Sequence, residues 1–321
     1  MEQPLYTAKD FATVLGITKS QLSRFEEKGT LPQPAINEHG IRVYMPHDIP
    51  AYLKALDKGP LVDKKRRQIF LNFKGGTGKT SLSAFYSFRL AQLGFNVLML
   101  DLDPQGHLTQ CFGVDHDTIQ ATLYNVLIEK MEVEDAIVPT AMKNLSLIPA
   151  CLDLSPVELA LTSINARETR LKKCLLQAQE KFDVIVMDAS PSIGLLNLNG
   201  ILASTELIVP VLADFLSYHG LKILFETVAT IEEDFDFTLE DGIHIILNHY
   251  NATMNIAQRA REALQTHYSE YMMNTIVRQD IKMAEAGSRG LPIHLYEPRS
   301  KGASDIDDLI KEIFPNLPIV F

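Results

Sequence analysis

No apolar run in this 321-residue chain reaches the ~20 residues that a membrane-crossing helix requires, so no spanning segment is expected. The opening residues Met1-Glu2-Gln3-Pro4 lack a basic stretch followed by an apolar one, so no signal peptide is expected either. Cysteine is scarce. Cys111, Cys151 and Cys174 are odd in number and show no C-x-x-C pairing, which argues against a disulfide framework and for small buried thiols in a reducing cytoplasm. Nine histidines are scattered without metal-ligand spacing, so no metal centre built on them is expected. A uniform positive charge is missing too, the net charge being −10. Residues 1–67 carry 11 Lys+Arg against 8 Asp+Glu, while the remainder carries 19 against 32. Any nucleic-acid contact of the larger, acidic part must therefore come from a local patch. With 46% hydrophobic and 22% charged residues, what remains is an ordinary globular chain, long enough for one large domain and a small one.

What the chain does contain is Lys74-Gly75-Gly76-Thr77-Gly78-Lys79-Thr80. The run Gln68 to Phe73 before it reads as a buried strand, and Ser81 to Leu93 after it as a helix. A strand, a glycine-rich turn and a helix aim several backbone N–H groups and a helix N-terminus at one anion. Only glycine lets the backbone come that close to a phosphate. Lys79 supplies charge for the β- and γ-phosphates, and the Thr80 hydroxyl is placed for Mg²⁺. Residues Lys74 to Thr80, with Ser81, are the expected nucleotide cradle.

The ordinary pattern places glycine five residues before the Gly-Lys pair. Here that position is Phe73, and a second lysine, Lys74, opens a compressed loop. In this deviant loop the chain resembles the ParA/MinD family of dimeric ATPases. The resemblance implies ATP as the nucleotide, a face-to-face homodimer, and a Lys74 that reaches across to the partner's nucleotide.

From Gln68 onward strands alternate with helices, so an α/β fold is expected: a mostly parallel sheet flanked by helices, of P-loop NTPase type. Phe95 to Leu100 reads as a buried strand that delivers Asp101 and Asp103 within Asp101-Leu102-Asp103-Pro104-Gln105-Gly106. Carboxylates at the carboxyl end of a strand sit where open α/β sheets bind ligands. A second apolar strand, from Asp183, delivers Asp188, expected to hold Mg²⁺ together with Thr80. The first string resembles the family's switch I, which implies that Asp103 orients or activates the attacking water and that Asp101 supports Mg²⁺ and loop geometry. Ala189-Ser190-Pro191-Ser192 resembles switch II but departs from the commoner Cys-Pro-Pro-Ser. The expected chemistry is phosphoryl transfer to water, with Lys74, Lys79 and Asp103 as catalytic residues. Basal turnover should be slow, since no arginine finger is evident. The resemblance further implies that Asn248, after Ile243 to Leu247, reads the adenine edge; a plain loop asparagine is the other reading.

The first sixty residues follow a different logic. Tyr6 to Gly16 reads as a short capped helix stopped by glycine, and Thr18 caps a second that ends at Gly29, with Leu22 and Phe25 facing a core. Ala35 to Tyr44 reads as a ribbon with Gly40 at its tip, and Asp48 to Leu56 as a further helix. On Gln21 to Pro32 and the wing residues Ile41-Arg42-Val43-Tyr44, this segment resembles the winged helix-turn-helix of MerR-type regulators. Lys19, Ser20, Gln21 and Arg24 are the implied base or phosphate contacts, with Arg42 gripping the DNA backbone. The expected division is a DNA-binding domain over 1–60, a solvated basic linker over 61–67 and an ATPase domain over 68–321.

Two late blocks, Ile276 to Ala286 and Tyr296 to Ala303, extend the ParA resemblance to the final helix. It implies non-specific binding of double-stranded DNA by Arg278, Lys282, Arg299 and Lys301, although Thr253 stands where some relatives carry arginine. A ParB-like centromere-binding or adaptor protein is the implied partner and the nucleoid the implied location. Other readings are an ATP-switched transcription regulator and a membrane-cycling ATPase like MinD. The last fits poorly, because the chain's final helix is acidic and stopped by Pro315 rather than basic and amphipathic.

Overall fold

A computed structural model describes residues 6–321; the Met1–Pro4 stretch read above for a signal lies outside the described residues. Helix α1 (Ala8–Val14) starts where the Thr7 hydroxyl accepts from the Asp10 N–H, and Gly16 turns the chain at φ 63°. Helix α2 (Lys19–Glu27) opens with a capping box: the Thr18 hydroxyl accepts from the Gln21 N–H, and the Gln21 side chain accepts from the Thr18 N–H at 2.8 Å. Strands β1 (Ala35–Ile36) and β2 (Arg42–Val43) pair antiparallel around Gly40, and helix α3 (Ile49–Ala55) follows. Leu22 is buried as expected, whereas Phe25 is only half-buried.

The large unit is an eight-stranded sheet. Its strands are β3 (Arg66–Phe70), β4 (Val97–Asp101), β5 (Val138–Pro139), β6 (Leu145–Ile148), β7 (Val184–Asp188), β8 (Glu206–Leu212), β9 (Gly242–Tyr250) and β10 (Met272–Arg278). The order β10-β9-β8-β3-β7-β4-β6-β5 is parallel throughout except for the short edge strand β5. The unbroken apolar runs of β4 and β7 suit strands covered on both faces. Alternate residues serve two cores: Phe70 packs with helix α4 (Lys79–Gln92) and the helix Lys301–Ile313, while Ile69 packs with the helices Leu195–Ala203 and Phe215–Phe235. No helix among the described residues is long and apolar enough to cross a membrane.

Element boundaries depart from the sequence reading in instructive ways. Strand β3 begins at Arg66 and stops at Phe70, and α4 starts at Lys79 because left-handed Gly78 (φ 86°) already caps it. The basic run is not a solvated linker. Lys64 pairs with Asp241 at 2.6 Å, Lys65 donates to the Gln179 carbonyl, Arg66 reaches the buried Glu206 carboxylate, and Arg67 donates to the Ala203 carbonyl. These four cations pin the start of the sheet to its neighbours. The N-terminal unit also shares a core with the large one. The Tyr6 hydroxyl donates to the Gln92 carbonyl at 2.7 Å, and the Val320 N–H to the Val14 carbonyl at 3.0 Å. Ile49 lies so close over Gly94 (φ 99°) that a Cβ there would come within 2.7 Å of it.

Candidate active site

Parallel register brings the site together. Phe70 and Asp101 both pair with Asp188, so the ends of β3, β7 and β4 deliver the loop and two carboxylates side by side. This is the carboxyl edge of the sheet, where the crossover connections leave a crevice. Loop 74–80 turns through Gly76 and Gly78, both at positive φ. At Gly78 a side chain is excluded twice, by φ 86° and because a Cβ would meet the Asn248 amide at 2.2 Å.

Lys79 is buried, and its ammonium donates to the Lys74 carbonyl at 3.3 Å, curling back over the loop. Burial lowers its pKa, while Asp188 and Asp103 oppose that shift. Thr77 is buried with its hydroxyl unpartnered. Lys74 follows a different course. Its N–H donates to the Asn72 amide oxygen at 2.9 Å, and its ammonium donates to Asp214 at 2.6 Å. Asp214 caps the helix Phe215–Phe235, accepting from the Ser217 N–H and hydroxyl. Burial alone would raise the Asp214 pKa, but Lys74 and Ser217 hold it below the ordinary carboxylate range.

The two acidic residues behind the loop differ. Asp101 has no solvent exposure and both oxygens are engaged, one by the Asp103 N–H and the other by the Thr109 N–H and hydroxyl. Thr109 in turn accepts from the Ala150 N–H. Asp101 is thus the anchor of the loop that carries Asp103, the loop-geometry half of its expected role. Asp188 is equally buried, yet neither of its oxygens has a hydrogen-bond partner. Burial, then Asp101, pushes it up to about 8, with Thr80, Lys79 and Ser83 tempering the rise. An orphaned buried carboxylate beside a hydroxyl is what a divalent cation satisfies, so Thr80 and Asp188 fit Mg²⁺. No cluster of three His, Cys, Asp or Glu among the described residues could hold a metal by itself. Remaining ligands would therefore be phosphate and water, as magnesium prefers. Asp103 is half-buried on the rim, bracing its loop through the Gln105 N–H.

Other expected contacts are already taken within the chain. The Asn248 amide donates to the Thr77 carbonyl and accepts from the His249 N–H, so it braces the phosphate loop instead of facing an open base site. Gln21 is spent on its capping box, and Arg42, although exposed, pairs with the buried Glu26 at 2.9 Å and donates to the Ser23 hydroxyl. Arg278 grips Asp305 with two nitrogens, the shorter contact at 2.5 Å, because Asp305 also accepts its N–H. Lys282 pairs with Glu285 at 2.8 Å. Lys19, Ser20, Arg24, Arg299 and Lys301 are exposed, and so are Gln21, Arg42 and Arg278 despite their partners. Sequence reading missed Asn72, Thr109 and Asp214, although Asp214 carries the same signal as Asp188: a carboxylate just after an apolar strand.

Comparisons with known proteins agree with this geometry. A family model described as an AAA domain matches residues 66–241, and one described as MerR HTH family regulatory protein matches residues 6–51. The cell division protein PomZ of Myxococcus xanthus is 45% identical over 99% of this chain and 95% of its own length. The chromosome-partitioning ATPase Soj of Treponema pallidum is 33% identical over 76% of this chain and 95% of its own. The crystal structure of cobyrinic acid a,c-diamide synthase from Mycobacterium smegmatis, with bound ADP and magnesium, matches with a TM-score of 0.66 at 27% identity, covering 80% of this chain and 99% of that one. At such identity over nearly the full length of PomZ, and across most of Soj, this chain belongs to the ParA-type family of partition and positioning ATPases.

Proposed function

We propose that this chain is a DNA-tethered positioning ATPase whose ATP-bound form is a face-to-face homodimer. ATP lies along loop 74–81, with the loop amides and Lys79 holding its β- and γ-phosphates. Thr80 and Asp188 hold Mg²⁺, which supplies charge neutralisation at the phosphates when bound. Asp103, on a loop pinned by Asp101 and Thr109, orients the attacking water. Lys74 serves the nucleotide of the facing protomer. The observation that supports this reading is the direction of Lys74: its ammonium turns away from its own loop to Asp214, whereas that of Lys79 curls back over it.

In this reading the dimer binds double-stranded DNA without sequence preference through exposed Arg299 and Lys301, with Lys282 beside them. Lys19, Ser20 and Arg24 of α2 contact operator DNA, giving control of the chain's own operon. A ParB-like or adaptor partner stimulates hydrolysis and release, so the protein cycles on the nucleoid in the cytoplasm. The cargo belongs with a division site or a replicon, the two roles carried by the names of its relatives. A MinD-like membrane anchor is disfavoured, because Ile306, Leu309 and Ile310 of the final helix are buried in the core.

The test is binding to random duplex with ATP, ADP or no nucleotide at two salt concentrations, with sedimentation of an Asp103→Ala variant alongside. ATP-dependent dimers and ATP-dependent, salt-sensitive binding are expected. Binding indifferent to nucleotide, or single protomers of Asp103→Ala at saturating MgATP, would remove the reading.

A further inference from the structure

Asp188 is followed at once by a loop, residues 189–194, which leaves the carboxyl end of β7 between the phosphate loop and the strand that delivers Asp101. Its two ends are held by different means. At the near end the Ala189 N–H donates to the Phe70 carbonyl at 3.1 Å, as a continuation of the sheet. At the far end the chain turns into the helix Leu195–Ala203, whose N-cap, Gly194, has no side chain to satisfy the first N–H groups. Glu158 does so instead. Its two carboxylate oxygens accept from the Leu195 N–H at 2.7 Å and the Leu196 N–H at 3.1 Å. Gly194 has extended backbone (φ −150°), so glycine is needed there for room: a Cβ would collide with the Glu158 carboxylate. Between the two ends, the buried Asn197 amide donates to the Ser190 carbonyl at 2.8 Å and the Ser192 carbonyl at 2.7 Å, drawing the loop back onto the helix.

Glu158 itself is firmly seated. Its short helix, Val157–Thr162, buries Val157 and Leu161 in the same core as Leu196 and Ile201. The stretch leading into that helix begins at Ala150, whose N–H donates to the Thr109 hydroxyl that holds Asp101. Residues 150–158 therefore meet the loop of Asp103 at one end and the loop behind Asp188 at the other. We infer that Glu158 is a positioning residue for ATP hydrolysis: by clamping the start of the helix Leu195–Ala203, it fixes the loop behind Asp188 at a set spacing from the loop of Asp103. It acts through residues 189–194 and not on the nucleotide itself. The catalytic half of this inference rests on the reading that Thr80 and Asp188 hold Mg²⁺; the clamp does not.

Two substitutions break the clamp from opposite sides. Glu158→Ala deletes the carboxylate, and Gly194→Ala pushes it out while leaving it in the chain. In nucleotide-free protein, hydrogen exchange of the Leu195 and Leu196 amides is read by mass spectrometry of peptides across 190–198. It should speed up roughly two- to thirty-fold in each variant, the range spanned by loss of a helix cap. In steady-state assays kcat for ATP should fall by roughly tenfold or more, the scale of a small misplacement, with KM within about twofold of wild type. The double variant should be no worse than the poorer single one, because both remove one contact. Unchanged exchange in both variants overturns the clamp. Faster exchange with normal kcat, or a KM that rises as far as kcat falls, overturns positioning and leaves the metal reading standing. Asp188→Asn, assayed alongside, decides that reading: normal turnover there sinks it together with the catalytic half of the proposal, while the exchange rates still decide the clamp.

Discussion

Asp101 and Asp188 stand opposite each other on neighbouring parallel strands, both without solvent exposure, and only Asp101 is hydrogen-bonded. The asymmetry divides the labour. One carboxyl is consumed in holding a loop; the other is left waiting for a cation. Asp188→Asn should accordingly leave the fold intact and cut Mg²⁺-dependent phosphate release by about 10²-fold or more, the scale on which a lost charge-positioning group acts. Steady-state phosphate release over a magnesium titration checks it; near-normal turnover would take the metal away from Asp188.

The same pair dictates a pH dependence. Burial raises Asp188 to about 8 and Asp101 to about 6, against ordinary values of 3.8. A folded chain that keeps protons the unfolded chain has released loses stability as pH rises. Stability without nucleotide should therefore fall between about pH 4 and pH 8 and level off above, by at most ~1.4 kcal/mol per pH unit for each carboxyl. Urea unfolding at pH 6, 7 and 8 reads this, and Asp188→Asn should flatten the slope. A curve that climbs over that range would contradict the assignment.

Thr109 links the loop of Asp103 to β6 through one hydroxyl that donates to Asp101 and accepts from the Ala150 N–H. Thr109→Val keeps the shape and deletes both bonds. Leaving buried partners unsatisfied costs ~1–3 kcal/mol, so unfolding should shift by that amount. Because the displaced segment carries Asp103, kcat for ATP should drop further than the ATP dissociation constant rises. Equal changes in both would mean that Thr109 acts on binding alone.

Arg42 distinguishes a wing that grips DNA from one that is itself gripped. Its partner Glu26 is 1% exposed and among the described residues accepts only from Arg42, Tyr44 and Tyr52. Arg42→Ala leaves the buried carboxylate with its two tyrosine donors but without its cation, and should cost ~1–3 kcal/mol of stability. The slope of DNA affinity against salt should stay where it was. A slope reduced by about one would instead mark a lost phosphate contact.

The phosphate loop, its two lysines and Asp188 were legible because each rests on a contiguous string whose geometry is local. The helix cap at Thr18 was legible for the same reason. Partnerships were not. Asp214 meets Lys74 across 140 positions, and Arg42 meets Glu26 across 16. No local pattern announces that a surface-looking arginine has a buried carboxylate in reach. Arg278 makes the same point: its sequence context resembles a DNA-contacting block, while the fold sets Asp305 27 positions away to receive it. Four consecutive cations read as a solvated connector, yet Glu206, Asp241 and two carbonyl groups were folded up to meet them.

The contact of Ile49 with Gly94 and of Tyr6 with Gln92 makes the N-terminal unit a cover over the tail of the helix whose head bears Lys79 and Thr80. Bisecting the chain at residue 60 would therefore wet an interior seam, and neither half would be a fair stand-in for its share of the whole. Aggregation of a truncated ATPase piece would report that uncovered seam, and its kinetics would describe a different molecule.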